Sequence, residues 1–142
     1  MTVPMWMLLG FAAWTLLLLI STIGVYRWIH ILMGRAPIAG FPADAAGGAE
    51  WYQRATRAHA NCIENLPVFG AIVLALYASG ISSPVIDGLS IIVLSARVAQ
   101  SLIHVCHVQT NVFASARFTF FSVQLLSFLA LIIMIVRHAA LT

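Results

Sequence analysis

Polar side chains suited to holding an anion lie at helical spacing near the middle of the sequence. Arg57, Asn61 and Glu64 stand at i, i+4 and i+7, with Arg54 one turn earlier, so all four share one helix face. Arginine holds carboxylates in a bidentate fork, and a carboxylate can receive an ammonium group. Two interpretations fit this spacing: a solvated face with an Arg–Glu pair, or a polar pocket beside the apolar segment that follows.

A second polar set lies inside a later apolar segment. Arg97 is followed by Gln100 and His104 at i+3 and i+7, which places the three on one helix face. An unpaired charge at the centre of a membrane costs about 2.5–3.5 kcal/mol. Glu64 is the acid placed to pair with Arg97, so the sequence predicts an Arg97–Glu64 ion pair whose role is structural or ligand-binding. The other acids fall in a loop or near a membrane surface: Asp44, Glu50 and Asp87.

The chain that carries these residues is too apolar to be a soluble globule. It has 142 residues, of which 62% are hydrophobic and 8% are charged, whereas a soluble domain has about 25% charged residues. Seven basic and four acidic side chains cannot form a polar coat. The composition excludes disorder and nucleic-acid binding, and it indicates an integral membrane protein. The net charge of +3 comes from arginine alone. In so apolar a chain, this basic charge indicates arginines that set the orientation of membrane spans.

Four apolar stretches are long enough to cross a bilayer as helices, which takes about 20 residues. They cover about 5–30, 50–79, 84–108 and 113–137, within a single domain spanning residues 1–142. The fold class predicted is an all-α integral membrane protein, a four-helix transmembrane bundle. Arginines cluster beside the first and third loops, which places those loops in the cytoplasm and both termini on the other side. The absence of lysine and the alanine content favour a bacterial inner membrane.

The string RATRAHANCIENLPVF, residues 54–69, resembles the signature of the MAPEG family, the membrane-associated proteins in eicosanoid and glutathione metabolism. The matching positions are Arg57, Ala58, His59, Asn61, Glu64 and Pro67. The ending from Glu64 to Pro67 is similar to the microsomal glutathione transferase branch. Further similarity is found at Ala96-Arg97 and at Phe113–Arg117, the latter resembling the leukotriene synthase branch.

This resemblance implies a homotrimer of four-helix protomers that holds glutathione as substrate between subunits, near the cytoplasmic face. A membrane lipid or another hydrophobic small molecule would enter from the bilayer as co-substrate. The glutathione contacts that the resemblance implies are Arg35, Arg57, Asn61, Glu64, Asn65, Arg97, Gln100 and His104. A cation near the thiol would lower its pKa, because the thiolate is the nucleophile.

The sequence departs from the family pattern at the catalytic arginine. Catalytic members carry it between the third and fourth spans, but residues 107–113 contain none, which leaves His107 and Arg117 as candidates. No metal site is predicted, since His104 and His107 have no evident third ligand. The resemblance implies a glutathione-dependent transferase, or a peroxidase, that acts on hydrophobic electrophiles. The alternatives are a non-catalytic lipid- or thiol-binding membrane protein of the same fold and a purely structural trimer.

Overall fold

Four long helices make up most of the protein. A computed structural model describes residues 1–41 and 47–141; Asp44, assigned to the first loop, lies outside them. The helices are α1 (Val3–Leu32), α2 (Glu50–Ser79), α3 (Pro84–Cys106) and α4 (Asn111–Leu141). Each is long and apolar enough to cross a membrane, and no strand occurs within the described ranges. The prediction of an all-α four-helix membrane fold is confirmed.

Local sequence signals set the ends of these helices. The side chain of Ser83 caps α3 by accepting a hydrogen bond from the backbone of Ile86, and Pro84 occupies the first helical position. His107 has an extended backbone, so α3 ends at Cys106, two residues before the predicted end. The Thr110 hydroxyl accepts from the backbone of Phe113, so α4 begins at Asn111.

The end of α2 is set by a glycine in the left-handed conformation. Gly80 has φ of +66° and donates its backbone N–H to the carbonyl of Tyr77. An added Cβ would meet no atom within 4 Å, so backbone strain is its main cost. We expect Gly80→Ala to destabilise the protein by about 1–2 kcal/mol in thermal unfolding in detergent. Gly88→Ala is the control, because a Cβ also meets open space there but inside α3. Equal shifts in both variants would contradict this account.

Helix α3 is at the centre of the bundle. It contacts α1, α2 and α4, and it is the most buried of the four helices. Beside it, Phe69 of α2 packs between Phe11 of α1 and Phe128 of α4, with ring centroids 6.0 and 5.9 Å apart. Polar side chains on α3 therefore face other helices, whereas the outer surfaces present apolar side chains. Examples of the exposed apolar residues are Leu16, Leu17, Ile20, Leu126 and Ile133.

A π turn at Leu19–Gly24 interrupts α1 before its last two turns. Beyond it, Tyr26 stacks on Tyr52 of α2 at a centroid distance of 4.1 Å, and the Nε of Arg27 donates to the Tyr52 hydroxyl at 2.9 Å. The hydroxyl of Tyr26 accepts from the backbone of Ala49, just before α2 begins. These contacts hold the end of α1 against the start of α2.

The same end of the bundle holds the ends of α1 and α3 and the starts of α2 and α4. We call it the arginine-rich end, after the residues Arg27, Arg54, Arg57 and Arg117. The Nε of Arg54 donates to the carbonyl of Val105 in the last turn of α3 at 3.5 Å. Cations near the last carbonyls of a helix are favourable, so this contact joins the start of α2 to the end of α3.

Candidate functional site

A groove opens between α2, α3 and α4 at the arginine-rich end. Its volume is about 340 Å³, within the range of about 300–1,000 Å³ that is usual for small-molecule sites. Each of the three helices contributes side chains. The lining consists of Asn61 from α2, Gln100 and His104 from α3, and Ala114, Arg117, Phe118 and Phe121 from α4. We call this feature the polar groove.

Gln100 and His104 form the inner wall of the polar groove. They lie one turn apart on α3 and are 8% and 9% exposed, so both are largely removed from water. The Oε1 of Gln100 is buried and has no hydrogen-bond partner among the described residues. Buried polar atoms are usually paired, so this carbonyl oxygen is available to a donor group on a ligand.

Three arginine side chains lie near this wall, and Arg117 is the one that lines the groove. Arg54, Arg57 and Arg117 all lie close enough to His104 to act on it electrostatically. Arg54 is held by Val105 and lies 4.0 Å from Glu50, the one ion pair found within residues 1–41 and 47–141. Arg57 and Arg117 make no hydrogen bond or ion pair in that part of the chain. Both guanidinium groups are therefore available to bind an anion.

Arg97 lies deeper in the bundle, with a partner that the sequence analysis missed. Its side chain is 1% exposed, and Nη2 donates to Oε1 of Gln124 on α4 at 2.6 Å. The guanidinium carbon lies 5.8 Å from the centre of the Phe11 ring. Arg97 is therefore held in the interior by an amide and an aromatic ring, and it does not line the polar groove.

The predicted Arg97–Glu64 ion pair is wrong. Glu64 is exposed and forms no ion pair within 4.0 Å in the described chain. The reason is the rotation of α2: Cys62 is fully buried and lies 3.5 Å from the hydroxyl of Ser101 on α3. Glu64 comes two residues later, about 200° around the helix, and so points outward. Only a weaker, longer-range attraction to Arg97 remains.

The other predicted site residues are dispersed in the single chain. Arg57 is exposed on α2 and is not among the residues that line the groove, and Arg35 is exposed in the loop beyond α1. The Nδ2 of Asn65 donates to the backbone carbonyl of Asn61 at 2.8 Å. His107 is exposed and its ring lies against that of Phe113 in a tilted arrangement, with the ring centroids 4.2 Å apart, outside the polar groove.

The structure thus brings together four of the predicted residues: Asn61, Gln100, His104 and Arg117. Of the two catalytic candidates, Arg117 lines the polar groove and His107 does not. Sequence reasoning missed Phe118 and Phe121, although a signal existed. Positions 114, 117, 118 and 121 stand at i, i+3, i+4 and i+7, which is the spacing of one helix face.

The fold and the groove define a class of protein: an integral, multi-pass membrane bundle of four helices with a polar, cation-rich site at one end. A scan of protein families finds the MAPEG family over residues 5–137, and the chain belongs to that family. Comparisons with curated proteins and with solved structures find no match. The resemblance noted in the sequence is thereby confirmed, and the protein is of the glutathione and eicosanoid metabolism type.

Proposed function

We propose that this protein is a membrane-bound, glutathione-dependent transferase that acts on hydrophobic electrophiles. The observation that carries the proposal is the polar groove, which gathers an amide, an imidazole and a guanidinium group from three helices of an otherwise apolar bundle. Buried polar residues in a membrane bundle mark functional sites by default. MAPEG family membership supports glutathione as the ligand.

The chemistry of the groove matches that of glutathione. Glutathione is an anionic tripeptide with two carboxylates, an ammonium group, peptide N–H groups and a thiol. The guanidinium group of Arg117 in the lining, and that of Arg57 exposed nearby on α2, suit its anionic groups. The unpartnered Oε1 of Gln100 suits an N–H donor. Two polar side chains of the lining, Gln100 and Arg117, therefore have counterparts on the tripeptide.

Arg117 is the residue best placed to stabilise the thiolate. It lines the polar groove on α4 and is free of protein partners within the described ranges. Proton loss from the thiol gives a thiolate, whose electron pair forms a carbon–sulfur bond as the leaving group departs with its own pair. The peroxidase version consumes two glutathione molecules and a hydroperoxide, and it yields the disulfide, an alcohol and water.

The apolar rim of the groove suits a co-substrate dissolved in the membrane. Phe118 is 70% exposed and Phe121 is 37% exposed, both on the α4 side. A hydrophobic electrophile that diffuses in the bilayer meets these rings before it meets the polar wall. The two phenylalanines therefore form an apolar entrance for the electrophile, distinct from the polar side chains that would hold glutathione.

The exposed face of α2 supports a homotrimer. Arg57 and Glu64 are exposed on a helix long and apolar enough to cross a membrane, and charges facing lipid are costly. Neighbouring copies of the chain would cover this face, as the family resemblance implies. Glutathione would then lie between subunits, where Glu64, Asn65 and a neighbour's Arg35 come into reach. The arginine-rich end would face the cytoplasm of a bacterial cell, with both termini outside.

The test is calorimetric titration of glutathione into the detergent-solubilised protein, followed by conjugation of chlorodinitrobenzene. We expect saturable binding that Gln100→Leu weakens about tenfold, because a ligand N–H loses its acceptor. Arg137→Gln is the control, since Arg137 is exposed near the opposite end of α4. Absence of binding in the parent protein would overturn the proposal. Binding without turnover would favour the non-catalytic lipid- or thiol-binding alternative.

A further inference from the structure

Gln124 holds the buried charge of Arg97 without neutralising it. Both side chains are 1% exposed, and Nη2 of Arg97 donates to Oε1 of Gln124 at 2.6 Å. In the described part of the chain, no carboxylate lies within 4.0 Å of this guanidinium group. The Nε of Arg97 and the Nε2 of Gln124 are also buried and unpartnered there. A glutamate at position 124 would form an ion pair, whereas the amide leaves a full positive charge in the bundle.

The surroundings of Arg97 do not cancel this charge. The titratable groups that act on it electrostatically are the buried thiol of Cys62 and the exposed carboxylate of Glu64, both on α2. On α1 it faces the ring of Phe11, and on α4 it meets Gln124, and neither carries a charge. Arginine stays protonated when buried, and an apolar interior screens its field much less than water does. The positive field of Arg97 therefore extends into the neighbouring part of the bundle.

The Arg97–Gln124 pair lies one helical turn deeper than the polar groove. Gln100, three residues after Arg97 on α3, lines the groove, and three helical residues rise about 4.5 Å. On α4, Phe121 lines the groove and Gln124 comes three residues after it. The same offset on both helices puts the buried charge beneath the inner wall of the groove, within reach of a ligand in an environment of low dielectric constant.

We propose that Gln124 keeps Arg97 uncompensated beneath the polar groove, and that this charge favours the thiolate form of glutathione bound there. The inference rests on the proposed glutathione-dependent function and adds to it a positioning residue, Gln124, that lies outside the glutathione contacts. Ionisation releases the thiol proton to water and leaves the S–H electron pair on sulfur, where a nearby cation stabilises it.

The arginines near the groove and the buried arginine differ in their response to salt. The charged and titratable side chains that face the groove region are His104, Arg54, Arg57 and Arg117. The three arginines among them are partly or fully exposed, so dissolved ions screen them. Arg97 is 1% exposed, and its effect on a bound thiol should persist when salt is added.

Gln124→Glu tests the inference, because it neutralises Arg97 with almost no change of shape. Ultraviolet absorbance follows the thiolate as a function of pH, at saturating glutathione for each protein. We expect the midpoint of thiolate formation to lie about one pH unit higher in Gln124→Glu than in the parent. This difference should remain at about 1 M salt. Gln109→Glu introduces the same charge at an exposed position between α3 and α4, and should keep the parent midpoint.

Two further measurements separate the effect of charge from an effect on folding. Gln124→Glu should unfold in detergent at or above the parent temperature, because its carboxylate pairs the buried cation. The double variant Arg97→Leu/Gln124→Leu removes the charge by a different route, and its midpoint should rise by a similar amount.

The outcomes distinguish this inference from the proposed function. If the parent protein does not bind glutathione, the proposed function fails. If the parent binds glutathione and either Gln124→Glu or the double variant keeps the parent midpoint, the inference is overturned and the proposed function stands. An equal rise in Gln109→Glu would assign the shift to net charge and would also overturn the inference.

Discussion

Gln124→Leu is expected to destabilise the protein by about 3 kcal/mol. Gln124 is 1% exposed and its Oε1 accepts the hydrogen bond from Arg97. Leucine removes this acceptor and leaves a buried guanidinium group without its partner, which costs more than the loss of a neutral hydrogen bond. The free energy of unfolding in detergent, compared with that of the parent protein, gives the measurement.

Two further variants test whether the loss of stability in Gln124→Leu comes from the buried charge of Arg97. Gln109→Leu makes the same change at an exposed position between α3 and α4, where we expect an effect within about 0.5 kcal/mol. The double variant Arg97→Leu/Gln124→Leu removes the charge together with its acceptor, so most of the lost stability should return. A Gln124→Leu protein as stable as the parent would show that Arg97 does not depend on this amide.

Arg117→Met is expected to lower kcat for conjugation by about 10²–10³-fold, the effect typical of losing one group that stabilises a developing anion. Methionine keeps much of the length and volume of the side chain but removes the charge that faces the polar groove. Glutathione affinity should fall much less than kcat, because the cation is assigned to the thiolate. Initial rates with chlorodinitrobenzene, measured at saturating glutathione, check this prediction.

Arg137→Met is the matched control for the Arg117 variant. It makes the same substitution on the same helix, but at an exposed position near the opposite end. We expect parent-like kcat and parent-like glutathione binding. Equal losses in both variants would point to a general effect of net charge, and an active Arg117→Met protein would remove Arg117 from the proposed chemistry.

The features that the sequence determined by itself are those that depend on nearby residues. Helix length and hydropathy set the four membrane helices, because a bilayer requires a run of apolar residues. Ser83 and Pro84 set the start of α3 through local capping. The spacing of Gln100 and His104 placed them on one face of α3, and the structure puts both in the polar groove.

The tertiary structure alone decided which residues of different helices meet. Spacing relates Arg97 to Gln100 on one helix, but it does not give the rotation of α2 or α4 about its own axis. Packing of Cys62 against Ser101 fixes the rotation of α2 and turns Glu64 outward. The close packing of α3 and α4 brings Gln124 to Arg97 and Arg117 to the wall that carries His104. Helix rotation is set by shape complementarity along whole interfaces, and no short run of residues encodes it.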